Sequence, residues 1–178
     1  VLNNITVKIF NFLYFNFNRL IKNEIIDYDK FFYFLDKINN WNNLYGNNGF
    51  LQYQFVIPEE SSYQGIKEIF EILINKKCFS FLTVIKKLGK KNKSILSFPM
   101  PGITVTLDFK YNEENLNLLS ELDKIVINYK GRIYLAKDAR ISREYFLKCY
   151  ENEFKEIEKS REEIKDFFAS EQSERINI

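Results

Sequence analysis

The stretch Leu51-Gln52-Tyr53-Gln54-Phe55-Val56-Ile57-Pro58 decides the fold. Its first half alternates apolar with polar, its second half is apolar, and Pro58 stops it, which together predict a strand. Ile66, Ile69, Phe70, Leu73 and Ile74 then recur at three- and four-residue spacing, the mark of an amphipathic helix. Phe79 to Ile85 reads as a second strand and Lys86 to Lys93 as an exposed turn. A third strand, Ile103 to Phe109, follows the breaker Pro99-Met100-Pro101-Gly102. Leu116, Leu119, Leu122, Val126 and Tyr129 predict another helix, and Arg132 to Leu135 a closing strand. The order β-α-β-β-α-β predicts an α+β fold: an antiparallel sheet with helices packed on one side.

The flanks do not fit that unit. Residues 1–49 are rich in aromatics and Asn, with Phe10, Phe12, Tyr14, Phe15 and Phe17 close together, then Phe31-Phe32-Tyr33-Phe34, and the turn-rich Tyr45-Gly46-Asn47-Asn48-Gly49. From Ser142 to Phe168 the pattern predicts two helices, with Ser142 as N-cap and Phe154, Ile157, Ile164 and Phe168 on one face of the second. Glu171 to Ile178 are polar and expected to fray.

Composition excludes several classes of function. Of 178 residues, 46% are hydrophobic and 17% aromatic, enough for a packed core and too many for a disordered chain. The 26 basic and 24 acidic residues nearly cancel, which argues against nucleic acid as a partner. With no His, a Ser-His-Asp or Cys-His mechanism and most zinc sites are excluded within the chain, and no metal is expected. Cys78 and Cys149 lie far apart, form no CxxC motif and suit a reduced, cytosolic-type chain. No apolar run reaches the ~18 residues of a spanning helix, and no cleavable signal opens the chain. It begins at Val1 rather than Met, as a piece of a longer protein would.

Candidate chemistry sits on the strands and their ends. Gln52 and Gln54 are two apart, so both amides share one face, roughly 7 Å apart. Thr104, Thr106 and Asp108 alternate in the same way. Each row reads either as a wetted outer face or as the wall of a polar cavity that grips a sugar or polyol. Lys86, Lys87, Lys90, Lys91 and Lys93 read as a solvated hairpin tip or, through Lys86, as an anion site. Lys137 and Asp138 follow the last strand, where polar groups either line a site or form surface ion pairs. The aromatic stretch 10–17, flanked by Lys8, Arg19 and Lys22, either lies on a membrane surface or packs on a further part of the protein.

Four strings occur together in order: Trp41-Asn42-Asn43-Leu44-Tyr45-Gly46, Gly49-Phe50-Leu51-Gln52-Tyr53-Gln54-Phe55-Val56-Ile57-Pro58, Leu96-Ser97-Phe98-Pro99-Met100-Pro101-Gly102, and Gly131-Arg132-Ile133-Tyr134-Leu135-Ala136-Lys137-Asp138-Ala139-Arg140. From about residue 5 to the end, the chain resembles the C-terminal part of the decaprenylphosphoryl-β-D-ribose 2'-oxidase family, FAD-linked oxidases of the vanillyl-alcohol-oxidase type. The resemblance implies a substrate-binding domain at residues 1–130 and, at 131–178, a segment that returns to an FAD-binding domain absent from this chain. It implies oxidation of a secondary hydroxyl of a lipid-phosphate-linked pentose to a ketone, by hydride transfer to the flavin. A partner short-chain reductase would then complete the epimerisation. The implied location is cytoplasmic, or membrane-associated on the periplasmic side.

Carried over residue by residue, Lys137 is the implied catalytic lysine and contacts the flavin together with Tyr134. A fixed cation there stabilises negative charge that develops on reduction. Gln52, Gln54, Lys86, Val84, Thr104, Thr106 and Leu35 are implied substrate-pocket positions, Leu35 on a loop over the pocket. The mycobacterial members carry Asn and Cys at the positions of Thr104 and Thr106, an aromatic at Ile103, Phe at Leu88 and Tyr at Phe32. Two other readings stand beside this one. The first is an alditol or aldonolactone oxidase of the same superfamily; the second is a non-catalytic domain that binds a partner through the aromatic stretch.

Overall fold

The computed structural model describes residues 4–21, 25–33, 39–162 and 169–178. Helix α1 (Asn4–Leu20) and the short α2 (Tyr28–Phe32) precede a 3-10 turn at Trp41–Tyr45. Then follow β1 (Phe50–Pro58), α3 (Glu59–Asn75), β2 (Thr83–Leu88), β3 (Gly102–Lys110), α4 (Glu113–Asn128) and β4 (Arg132–Ile133). A second 3-10 turn at Leu135–Lys137 leads into α5 (Arg143–Glu162) and α6 (Glu171–Ile176). The central β-α-β-β-α-β order is the expected one. The four strands pair in the order β2-β3-β1-β4, every pair antiparallel.

Local chemistry starts and stops each helix. Glu59 and Glu60 place negative charge in the first turn of α3, against the positive end of its dipole. Asn112 caps α4 by accepting from the Asn115 N–H at 2.8 Å. Beyond α4, Lys130 turns left-handed at φ 56° and the Gly131 N–H returns to Val126 O at 2.8 Å, which ends the helix and aims the chain into β4.

One sheet face carries Tyr53, Phe55, Ile57, Val105, Leu107 and Ile133, all buried beneath Ile69 and Leu73 of α3 and Leu119, Leu122 and Val126 of α4. Each fully buried aliphatic or aromatic side chain contributes roughly 1.5–3 kcal/mol. Close approach at the end of β1 demands two glycines. A Cβ on Gly102 would lie 2.2 Å from Ile57 O, and one on Gly131 would lie 2.5 Å from Val56 O.

Three boundaries differ from expectation. The second strand begins at Thr83 rather than Phe79 and runs on to Leu88, so Lys86 and Lys87 lie within it. The cause is Ser80: its hydroxyl accepts the Asp108 N–H at 2.9 Å and donates to Leu82 O at 2.5 Å, which replaces ladder pairing there. The closing strand stops at Ile133 rather than Leu135, because Lys137 N–H bonds back to Tyr134 O and closes a turn. The third is the tail, which is not frayed. Ser170 and Ser173 form a reciprocal capping box that starts α6, and Ile176 is buried in the core.

Helix α5 is kinked at Tyr150, in keeping with two helical stretches, and the Ser142 hydroxyl accepts from Tyr145 N–H at its start. Ile164 and Phe168 lie outside the described residues. The helix is tied to β4 by Tyr150, whose hydroxyl donates to Ile133 O at 2.9 Å. It is also tied by Glu153, whose Oε1 meets Arg132 at 2.9 Å and Lys91 at 2.8 Å. Burial pushes the Glu153 carboxyl up, but the Lys91 hydrogen bond and the Arg132 charge leave it below its ordinary 4.5. A lowered acid contributes stability that is present above its ordinary pKa and lost as pH falls through the folded value. Glu153→Gln should therefore lower the melting temperature at pH 7 and flatten its decline between pH 5 and 3; parallel melting curves would refute this.

Candidate functional site

The sheet face turned away from α3 and α4 is polar, and strand register explains how. Gln52 stands opposite Asp108, Gln54 opposite Thr106, and Val84 and Lys86 of β2 opposite Thr106 and Thr104. Because side chains alternate in strands, these residues share one face. β4 extends it: Phe55 pairs with Ile133 on the core side, and Tyr134 N–H reaches Gln54 O at 2.8 Å. The structure thus brings Gln52, Gln54, Thr104, Thr106, Val84, Lys86 and Tyr134 together. Leu35 lies outside the described residues.

This face is not a wetted outer surface throughout. Thr104 and Thr106 are buried, Gln52, Gln54 and Val84 are half-buried, and Lys86 is exposed. The Phe98 ring packs on Tyr134 with centroids 4.5 Å apart, and Arg132 holds that loop by donating to Ser97 O at 2.9 Å. Gln52, Gln54, Tyr134 and Lys137 line a narrow notch between β1 and the turn that carries Lys137.

Hydrogen bonding sets the polarity of both amides. Asp108 is an ionisable acceptor, so Gln52 Nε2 donates to its Oδ1 at 3.1 Å. The Thr104 hydroxyl donates to Phe55 O at 2.7 Å and accepts from Gln54 Nε2 at 3.1 Å. Both glutamines thus spend an N–H inward on the sheet, and neither Oε1 has a protein donor among the described residues. Two carbonyl acceptors on one wall suit a hydroxylated ligand.

Asp108 organises the floor. Its Oδ2 also accepts from the Tyr45 hydroxyl at 3.3 Å, which joins the 3-10 turn at 41–45 to β3. Burial raises the Asp108 carboxyl above the usual range, against the opposing pull of Gln52, Tyr45 and Lys137. Burial, with the Asp108 charge close by, pushes the Tyr45 hydroxyl well up. Asp108 belongs to the expected Thr–Asp row but has no role assigned to it there, and Tyr45 stands outside the expected site residues. The signal for Asp108 is its place in the Thr104-x-Thr106-x-Asp108 alternation; nothing local marks Tyr45, whose partner comes from a distant strand.

Lys137 is half-buried, and its ammonium forms no hydrogen bond or ion pair within 4 Å among the described residues. Burial lowers its pKa, Asp108 pulls it back up, and Lys86 presses it down again. Asp138, by contrast, belongs to the scaffold: its carboxylate pairs with Arg175 at 2.9 Å and accepts from the N–H groups of Arg140 and Ile141. Lys87 and Lys91 are likewise engaged, with Glu59 and Glu153. Neither cysteine forms a disulfide, and burial raises both thiols to about 11, so neither is a nucleophile at neutral pH. No group of His, Cys, Asp or Glu suited to a metal occurs among the described residues.

No protein-family model matches the chain. Decaprenylphosphoryl-beta-D-ribose oxidase of Mycolicibacterium smegmatis is 39% identical to it over 129 residues, which is 72% of this chain and 28% of that enzyme. The motif strings and the comparison agree. The chain is a homologue of decaprenylphosphoryl-beta-D-ribose oxidase and spans somewhat more than a quarter of that enzyme's length.

Proposed function

We propose that this chain is the substrate-binding and C-terminal portion of an FAD-dependent oxidoreductase. In this reading a secondary hydroxyl of a pentose, carried on a polyprenyl phosphate, is oxidised to a ketone. The observation that carries the reading is that Gln52, Gln54, Tyr134 and Lys137 all line one narrow notch at the edge of β1, which Leu119 of α4 also borders. Similarity to an oxidase of a polyprenylphosphoryl ribose supports the substrate class.

The residues present suit a flavin. A half-buried ammonium with no ion pair among the described residues, lining the same notch as Tyr134, offers a positive site for the charge of a reduced isoalloxazine. FAD, when bound, supplies the hydride acceptor. Lys137 stabilises the negative charge that accumulates, from a position fixed before reaction. Gln52 and Gln54 accept hydrogen bonds from sugar hydroxyls and orient the carbon that loses hydride. Lys86, exposed on β2 across from Thr104, supplies positive charge for a phosphate. Residues 131–178 border the flavin-binding domain. A reductase that acts on the ketone product is the expected partner. The exposed rings of Phe12, Tyr14, Phe15 and Phe17, with Lys8 and Arg19 nearby, support contact of α1 with the membrane surface where such a lipid resides.

Purified full-length protein should carry flavin absorbance and oxidise a polyprenylphosphoryl pentose in preference to free alditols or aldonolactones. The reverse preference would move the assignment to an alditol oxidase, and absence of flavin would favour a non-catalytic binding domain. Gln54→Leu should raise KM for the sugar about tenfold, the worth of one hydrogen bond, with flavin content unchanged. An unaltered KM would remove Gln54 from the substrate wall.

A further inference from the structure

We propose that α6 is a brace that sets the position of Lys137, with Gln172 and Arg175 as the positioning residues. The proposal rests on the reading of Lys137 as a flavin contact. A 3-10 turn of three residues holds itself poorly. This one has the Lys137 N–H on Tyr134 O and the Asp138 N–H on Leu135 O, each at 3.1 Å, and hangs from β1 by the Tyr134 N–H. Those bonds close the turn and hang its start from β1, but they leave its Lys137–Asp138 end unattached to any other element.

The C-terminal helix supplies what is missing. Gln172 Nε2 donates to Leu135 O at 2.8 Å and to Asp138 O at 3.3 Å, so one amide spans both ends of the Lys137 segment. Arg175 pairs with Asp138 Oδ2 at 2.9 Å, while Oδ1 of the same carboxylate caps the next bend through Arg140 N–H and Ile141 N–H. Arg175 also donates to Ile141 O. The brace is itself anchored, by the Ser170–Ser173 capping box, by buried Ile176, and by Arg143, which donates to Ile176 O at 2.9 Å and to Asn177 O.

None of these contacts touches the Lys137 ammonium. They hold the backbone from which it projects, and a shift of about 1 Å at a reacting centre can cost on the order of a hundredfold in rate.

The test compares Gln172→Ala, Arg175→Ala, Arg175→Lys and Lys137→Ala in the full-length flavoprotein, by flavin midpoint potential, stopped-flow flavin reduction and amide hydrogen exchange. Gln172→Ala is expected to slow flavin reduction roughly tenfold or more with KM unchanged. It should also move the midpoint potential in the same direction as Lys137→Ala and speed exchange at the Lys137 and Asp138 amides. Arg175→Lys, which keeps one ion pair, should restore most of what Arg175→Ala loses. The brace is overturned if Lys137→Ala shifts the potential while Gln172→Ala lowers only the melting temperature, leaving potential, kcat and exchange as they were. If Lys137→Ala itself leaves the potential unmoved, the flavin reading falls, and the exchange rates still decide whether α6 holds the turn.

Discussion

Lys137→Ala in the full-length enzyme is expected to slow reduction of the flavin by substrate about 10²–10³-fold, the usual cost of one preorganised charge-stabilising group. The size follows from the setting. The ammonium is half-buried, has no ion pair among the described residues, and stands near a buried carboxylate, Asp108, whose charge it partly offsets. In the proposed reading, truncation removes the cation and leaves that carboxylate to repel negative charge on a reduced flavin. The sign can be checked separately, because the Asp108 carboxyl, already raised by burial, should rise further once Lys137 is gone. Stopped-flow bleaching of flavin absorbance is the direct measurement. A rate equal to wild type would strip Lys137 of its role.

Arg140→Met should produce the largest loss of stability among single changes near the site, about 3–5 kcal/mol by denaturant unfolding of the full-length protein. Asp123 is fully buried; Arg140 meets its two oxygens at 2.6 and 2.7 Å, and the Tyr53 hydroxyl donates at 2.9 Å. The Arg140 guanidinium also lies 5.4 Å from the Tyr53 ring centroid. Removing the arginine leaves a charge in the core with one hydroxyl for company. The combination Arg140→Met, Asp123→Leu and Tyr53→Phe should recover much of the loss, since replacing a buried ionic group whole is far less costly than breaking it. If the single change costs under 1 kcal/mol, the cluster has water or another partner to fall back on.

The sheet was legible because β1 and β3 alternate with period two, which grouped the two glutamines and, separately, Thr104, Thr106 and Asp108; that the two rows share a face came only with the β1–β3 register. The helices were legible because α3 and α4 carry one apolar stripe each. Other features depend on partners distant in sequence. The second strand is displaced by the hydroxyl of Ser80, which no propensity registers. The Asp108 floor needs Tyr45 from a turn far upstream. The last helix looked like a polar tail because Gln172 and Arg175 bind carbonyls and a carboxylate rather than a core, and hydrophobic patterning does not detect that kind of anchoring. Lys137 and Tyr134 as flavin contacts, and the pocket roles of the glutamines, came from resemblance rather than from pattern.

The two glycines at the end of β1 carry a consequence for how this domain can vary. Gly102, at the start of β3, and Gly131, just before β4, press on consecutive carbonyls, Ile57 O and Val56 O. Even a methyl group at either site would wedge a neighbour away from the strand that bears both glutamines. Tolerance to change should therefore be lopsided: the polar face proposed as a substrate wall can vary, whereas the close-packed backbone at Gly102 and Gly131 cannot. A laboratory search for altered substrate preference should recover changes at Thr104 and Thr106 and none at those two positions.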